Sequence, residues 1–191
     1  YIGTTVPPEK KQEFTGENAL DPELIAKDPA NIEKMLARIA NANNIGIGDL
    51  EVLVMKRDRE KQNLDTLAGL QKQYPGLRVV TIEDGTVAHS LEAAFGRKEG
   101  KHKVIMTVGG APEGFFNLAV TGLFKDQGAL ASMRVYSKRV NETVSGGKAL
   151  DMATRYNFDE SERSDILSLR KDDGEAVLRG DRLFTQEDVR G

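Results

Sequence analysis

A glycine-rich turn is the part of the sequence with the clearest chemistry. Gly109-Gly110-Ala111-Pro112-Glu113-Gly114 follows an apolar run and opens a stretch with helical spacing. Unpaired backbone amides at the start of a helix favour a bound anion. The turn is not a Walker A loop, because Phe115 and Phe116 stand where that loop needs Lys and Ser or Thr. The turn therefore predicts a phosphate site of another kind.

Charged side chains follow two other apolar runs of the chain. The first group is Lys56, Arg57, Asp58 and Arg59, and the second is Glu83, Asp84 and Gly85. Arginine forms paired hydrogen bonds with phosphate oxygens, and carboxylates accept hydrogen bonds from sugar hydroxyls. If these groups meet the glycine turn, the combination suits a phosphorylated polyol.

The elements that must position these groups alternate along the chain. The predicted strands are Val52–Met55, Val79–Ile82 and Val104–Val108, and the predicted helices are residues 60–72, 87–95 and 115–124. Alternation of this kind with short connections predicts an α/β fold, a mostly parallel sheet flanked by helices on both faces. The carboxyl ends of parallel strands share one edge, so the three groups should lie together there.

The remaining segments carry weaker signals. Residues 1–20 are polar and contain two prolines, which indicates a lead-in or linker, with the α/β domain over residues 21–191. Asp28-Pro29 predicts a helix start before residues 32–39. Short apolar runs predict strands at 131–136, 165–169 and 176–184, and residues 148–156 predict a short helix.

Each charged residue also has a simpler interpretation. Asp58 and Asp84 fit the role of helix N-caps equally well. Glu113 would be favourable in a first helical turn through the helix dipole alone. Arg57 and Arg59 could be solvated surface charges. These alternatives stay open on the residues themselves, and only the expected meeting of the groups favours a binding site.

Composition excludes several kinds of site and partner. The 191 residues contain no cysteine and two histidines, so a Cys-ligated zinc, thiol catalysis and a His-rich metal site are excluded. We interpret His89 as a helix-surface or core residue and His102 as a solvated loop residue. The net charge of −3 does not favour nucleic acid, and no apolar run is long enough for a membrane span. No signal peptide is visible, so the default expectation is a cytoplasmic protein.

The motifs together resemble a known family. The string Val108 to Gly114, the strand end Leu50 to Arg59, and Ile82 to Ala88 resemble, in order, segments of the class II (GlpX-type) fructose-1,6-bisphosphatases. Leu178 to Phe184 is similar to a segment near that family's C-terminus. The likeness spans most of residues 20 to 190 and corresponds to the family's C-terminal half, a three-layer α/β/α sugar-phosphatase domain.

The resemblance implies roles for six residues. Glu113 would help to hold a divalent cation, Mg²⁺ or Mn²⁺. The implied substrate-binding residues are Arg57, Arg59, Asp84, Gly109 and Gly110. The implied reaction is metal-assisted hydrolysis of a sugar bisphosphate, in which this chain would be the substrate-binding half.

The chain departs from the family pattern at three places. Thr86 replaces the second aspartate of an Asp-Gly-Asp segment, Asp58 replaces a proline, and the threonine-glycine pair expected after Phe184 is missing. The family's other metal carboxylates and its catalytic threonine belong to an N-terminal half outside this chain. We therefore expect no catalytic residue here, an inactive chain by itself, and a partner in the N-terminal domain or another chain, within a homo-oligomer. The alternatives are a diverged, non-catalytic sugar-phosphate-binding or regulatory domain, and a role in assembly alone.

Overall fold

A mixed sheet of six strands organises the described part of the protein. The computed structural model describes residues 1–28, 30–57, 60–83, 85–95, 100–108, 111–137, 155–169 and 172–188. The strands are β1 Ile2–Thr5, β2 Leu50–Met55, β3 Arg78–Ile82, β4 His102–Met106, β5 Ala129–Met133 and β6 Phe184–Thr185. Their order across the sheet is β3-β2-β4-β1-β5-β6.

Helices cover both faces of this sheet. Within the described ranges, the α-helices are α1 Pro22–Lys27, α2 Asn31–Ala42, α3 Lys61–Gln73, α4 Thr86–Ala94, α5 Ala111–Gly122, α6 Glu160–Leu169 and α7 Gly174–Arg179. One apolar core joins α1, α2 and α3 to the sheet, and the other joins α4, α5 and α7 to its opposite face. The predicted α/β fold with three layers is therefore confirmed. Among the described residues, none of the helices is both long and apolar enough to cross a membrane.

The strand directions bring the predicted loops to one edge. β2 pairs in parallel with β3 and with β4, and β1 runs antiparallel to β4 and to β5. Consequently β2, β3, β4 and β5 point the same way, and their carboxyl ends share an edge. The chain leaves β2 through α3 towards β3 and leaves β4 through α5 towards β5, on the opposite face. The crevice between β2 and β4 is therefore a topological switch point, where ligands of open α/β sheets bind.

The first residues of the chain correct the sequence prediction. Residues 1–20 were expected to be a lead-in or linker, yet β1 lies inside the sheet between β4 and β5. Thr4 is fully buried, and its hydroxyl donates to the Lys103 carbonyl at 3.0 Å and lies 3.1 Å from His102 Nε2. His102 is thus a buried strand residue, and its interpretation as a solvated loop residue is wrong. Partners about a hundred positions away stabilise this polar strand, so no local pattern indicates it.

The start of the helical region also differs from the prediction. Asp21, followed by Pro22, caps α1 by accepting a hydrogen bond from the Glu23 amide at 2.9 Å. Asp28 ends that helix, and its carboxylate accepts from the Ala30 amide at 3.0 Å. The next helix, α2, begins at Asn31 rather than directly after Asp28.

The predicted strands near the C-terminus are mostly helical. Residues 165–169 belong to α6, residues 176–179 belong to α7, and only the end of the second predicted run enters β6. Short apolar runs do not distinguish a strand from a buried helix. A usable signal was present at the start of α6, where Asp159 and Glu162 cap each other's backbone amides at 2.9 Å. The strand predicted at 131–136 corresponds to β5, whereas most of the helix predicted at 148–156 lies outside the described residues.

Candidate functional site

The carboxyl edge of the sheet carries basic residues where β2 ends. The Lys56 amide donates to the Ile82 carbonyl at 2.8 Å, which continues the pairing of β2 with β3. Lys56 Nζ lies 3.5 Å from Glu83 Oε1, and both side chains are exposed. Arg57 turns the chain away from the sheet, since its amide donates to the Met55 carbonyl at 3.0 Å. Its side chain is exposed at this edge.

The structure describes two of the six predicted site residues. Arg57 follows β2 as expected, and Glu113 lies in the first turn of α5, as the sequence predicted. The other four predicted residues lie outside the described residues: Arg59, Asp84, Gly109 and Gly110. Their neighbours are described, and Val108 and Gly85 follow β4 and β3 at the same edge. The described parts of these connections therefore lie at one edge of the sheet, where the carboxyl ends of β2, β3 and β4 are.

Glu113 is a single exposed carboxylate. Among the residues that the structure describes, no three His, Asp or Glu side chains lie close enough together to hold a metal ion. A Mg²⁺ or Mn²⁺ centre usually takes more than one carboxylate, or a carboxylate together with substrate phosphate. The described part of the chain can thus supply one ligand and does not form a complete metal centre.

Glu60 is a residue of this edge that sequence reasoning missed. Its side chain is fully buried, although it directly follows four charged residues. One carboxylate oxygen accepts a hydrogen bond from the Val108 amide, and the other accepts from Asn63 Nδ2 at 2.8 Å. The sequence pattern indicates Glu60 only as the start of a helix. The Val108 amide that it binds lies 48 positions away, so no local pattern indicates the burial of Glu60.

Three described residues of the motifs have a structural explanation. Gly85 has a φ of +84°, a left-handed conformation that glycine adopts without strain, and α4 starts directly after it. Thr86 is buried at the first position of α4, so its side chain packs inside the fold. Gly114 packs against β5, since an added Cβ would lie 2.7 Å from Met133 Cε. The last glycine of the turn is therefore explained by helix packing.

A buried charged network lies after β5, which ends at the same edge. Arg134 binds the Asp21 carboxylate, and the hydroxyls of Tyr136 and Tyr156 donate to Glu23 Oε2 at 3.3 and 2.9 Å. Hydrogen bonding to Asp21 raises the pKa of the Arg134 guanidinium. Burial raises the pKa of the Tyr136 phenol, and the Glu23 carboxylate adds to the rise. These partners are more than a hundred positions apart, so no local pattern of residues indicates the network.

His89 lies on α4 beside an acidic residue. Its Nδ1 atom is 3.7 Å from Glu92 Oε1, and Glu92 also binds Lys103 Nζ at 2.5 Å. The Lys103 ammonium holds the pKa of the Glu92 carboxyl below its ordinary value. The geometry gives His89 a place in a charged surface cluster, in agreement with a non-catalytic interpretation.

The fold and this edge define a class of protein. The chain is a three-layer α/β domain whose loops meet at a switch point of the sheet, the usual ligand position of that class. The family model described as bacterial fructose-1,6-bisphosphatase, glpX-encoded, matches residues 21–189. Because this match covers most of the chain, the chain belongs to that family.

A curated relative agrees with the family match. The chain is 37% identical over 86 residues to a D-fructose 1,6-bisphosphatase class 2/sedoheptulose 1,7-bisphosphatase of Gloeobacter violaceus. The similar stretch covers 45% of this chain and 23% of the relative. The chain therefore matches less than a quarter of the relative's own length.

Proposed function

We propose that this chain is the substrate-binding part of a metal-dependent sugar bisphosphatase that releases one phosphate from fructose 1,6-bisphosphate or a similar sugar. The observation that carries the proposal is the meeting of two connections at the switch point. One connection bears Arg57, and the other leads into the turn that precedes Glu113. Family membership supports the same reaction class.

In this proposal the basic strand end and the turn hold opposite parts of the substrate. Arg57 and Arg59 bind the phosphate that is retained, because guanidinium groups form paired hydrogen bonds with phosphate oxygens. Asp84 accepts hydrogen bonds from sugar hydroxyls. Gly109 and Gly110 let the substrate approach the backbone at the start of α5, where unpaired amides favour an anion.

Glu113 contributes one ligand to a Mg²⁺ or Mn²⁺ ion in this proposal. Bound metal would polarise a phosphoryl oxygen and lower the pKa of an attacking water. The described residues do not complete such a centre, so the remaining carboxylates must come from polypeptide outside them. By itself, the chain would bind and orient substrate without hydrolysing it.

The outer face of α5 supports a partner that brings those carboxylates. Glu113 is the only charged residue of this helix, whose sequence is APEGFFNLAVTG. Phe116 on this helix and Leu123 directly after its end are 56% and 76% exposed. A helix that is apolar on most of its faces is normally buried. We propose that the remainder of a complete family enzyme covers this face and meets Glu113, and that the whole protein is a homo-oligomer.

Titration calorimetry of fructose 1,6-bisphosphate, with and without Mn²⁺, tests the proposal. We expect weak binding without metal and at least tenfold tighter binding with Mn²⁺, about the effect of one charge-assisted interaction. Glu113→Gln should abolish the gain from metal, whereas Glu175→Gln, in the first turn of α7, should not. No binding under either condition would contradict the proposal.

A second function is favoured by Thr86, which is buried and stands where the family pattern has an aspartate. A diverged, non-catalytic sugar-phosphate-binding or regulatory domain would need neither a metal nor the lost aspartate. In the same titration, this function predicts tight binding without metal and no effect of Glu113→Gln. Sedimentation velocity tests the partner and oligomer proposals, since Leu123→Glu should prevent association through the α5 face, whereas Leu167→Glu on α6 should not.

A further inference from the structure

Glu60 lies between the two connections that form the proposed site. It ends the connection that follows β2 and precedes α3, whereas Val108 lies in the connection that follows β4. β2 and β4 are neighbours in the sheet. A bond between Glu60 and Val108 therefore spans the switch point.

The Glu60 carboxylate is bonded on both oxygens. The Val108 amide donates to Oε1, and Asn63 Nδ2 donates to Oε2 at 2.8 Å. The Glu60 amide itself donates to the Arg57 carbonyl at 2.9 Å. Thus one residue binds the backbone that carries the predicted phosphate-binding arginine and the backbone that leads into the glycine turn.

Because Glu60 is buried, its carboxylate depends on these hydrogen bonds. Glu60 is 0% exposed, and a carboxylate removed from water is retained only where hydrogen bonds satisfy its oxygens. The Val108 amide would be left without its acceptor if the side chain were shortened. The hydrogen bond between Glu60 and Val108 therefore restrains the distance between the segments that follow β2 and β4.

We propose that Glu60 is a positioning residue that holds the connection after β2 and the connection after β4 in a fixed relation. Its effect on ligand affinity rests on the proposed function. Its effect on the Val108 backbone does not, because that effect depends only on the hydrogen bond between the Val108 amide and Glu60.

Positioning and charge predict opposite effects on binding. The negative charge of Glu60 near Arg57 should weaken phosphate binding slightly, so a purely electrostatic role predicts tighter binding when the charge is removed. A positioning role predicts that binding survives when the acceptor oxygen is kept and falls when it is lost. Glu60→Gln keeps an acceptor without the charge, and Glu60→Asp keeps the charge on a side chain one methylene shorter.

Two measurements on the full chain test the proposal. In Glu60→Ala and Glu60→Asp, amide hydrogen exchange at Val108 should be about tenfold faster, as expected for a lost hydrogen bond to a charged group. Affinity for fructose 1,6-bisphosphate should fall about tenfold in the same variants. Glu60→Gln should stay within about twofold of the unsubstituted chain in both measurements.

Glu51→Gln is the matched control. Glu51 is a buried residue at the opposite end of β2, where its carboxylate pairs with Arg78 and Lys103. Removing its charge should change neither the exchange of the Val108 amide nor the affinity for the sugar bisphosphate. Unchanged Val108 exchange in Glu60→Ala and Glu60→Asp would overturn the proposal. Faster exchange with unchanged or tighter binding would also overturn it. If the unsubstituted chain did not bind the sugar bisphosphate, the proposed function would fail, and Val108 exchange alone would decide the role of Glu60.

Discussion

Arg134 holds the Asp21 carboxylate through two parallel hydrogen bonds, from Nε to Oδ1 at 2.7 Å and from Nη2 to Oδ2 at 2.6 Å. Both side chains are mostly buried. Asp21 also caps α1, and Arg134 follows β5 and donates to the Gly180 carbonyl beyond α7. This pair therefore joins the first helix to the C-terminal helices across the edge of the sheet.

Arg134→Lys should destabilise the protein although it keeps the charge. Lysine presents a point charge and cannot form the paired bonds of a guanidinium. We expect a loss of about 2 kcal/mol in the free energy of unfolding, measured by urea denaturation. Arg179→Lys is the control, since Arg179 and its partner Asp181 are both largely exposed, and no measurable change is expected there. Equal effects of the two substitutions would show that paired geometry is not the cause.

Tyr136 should make the protein sensitive to alkaline pH. Its pKa is raised in the folded protein, so the folded state keeps a proton that the unfolded chain loses above its ordinary value of 10.0. The unfolded state then binds fewer protons, and stability is lost as pH rises above about 10. Between about pH 10 and 12, the loss should be shallower in Tyr136→Phe by about 1.4 kcal/mol per pH unit.

Thermal unfolding in this pH range measures the difference between the two proteins. The pKa of Tyr74 is also raised, chiefly by the hydrogen bond that its hydroxyl donates to Glu33 at 2.6 Å, so Tyr74→Phe should make the loss shallower as well. If the slope for Tyr136→Phe matched that of the unsubstituted protein, the raised pKa of Tyr136 would be contradicted.

Arg57 should govern phosphate affinity rather than stability. Its side chain is exposed, so Arg57→Ala should leave the unfolding transition unchanged. Affinity for inorganic phosphate should fall about tenfold, as expected for a lost hydrogen bond between charged groups. The difference should shrink at high salt, because exposed charges are screened. A variant that binds phosphate as well as the original would remove Arg57 from the site.

Two glycine substitutions should change the free energy of unfolding in opposite directions. Gly128 has a φ of +93°, and an added Cβ would lie 1.8 Å from the Val6 carbonyl oxygen. Gly69 lies within α3, with nothing within 4 Å of an added Cβ. We expect Gly128→Ala to lower the free energy of unfolding by at least about 2 kcal/mol and Gly69→Ala to raise it by about 0.5–1 kcal/mol. Calorimetric melting compares both variants, and equal signs would contradict this account.

The sequence was most informative where local pattern and final position agree. β2 and β4 are buried on both faces, so their continuous apolar runs, such as Val52–Met55, mark them as strands. The helices between them show helical spacing, and their bounds differ by few residues from prediction. Glu113 was placed correctly in a first helical turn for the same reason.

The rest depends on contacts that no local pattern contains. Thr4 belongs to a strand because the sheet has a place for it beside His102, and the buried Glu60 accepts a hydrogen bond from Val108, 48 positions along the chain. Val177 and Leu178 form an apolar pair that suits a strand or a helix equally, and the sequence does not show that Val177 packs in the core from a helix. Sequence reasoning therefore located the edge of the site and missed the residue that connects its two sides.

The position of β1 has a consequence for how the protein folds. Without this strand, the sheet would separate into β3-β2-β4 and β5-β6, each with a new unpaired edge. Unpaired edges of this kind recruit other chains and promote aggregation. β1 is synthesised before both of its neighbours, so it must wait until about a hundred further residues have emerged. Closing the sheet is thus a late, long-range event, the kind of step that slows folding and exposes a chain to misassembly.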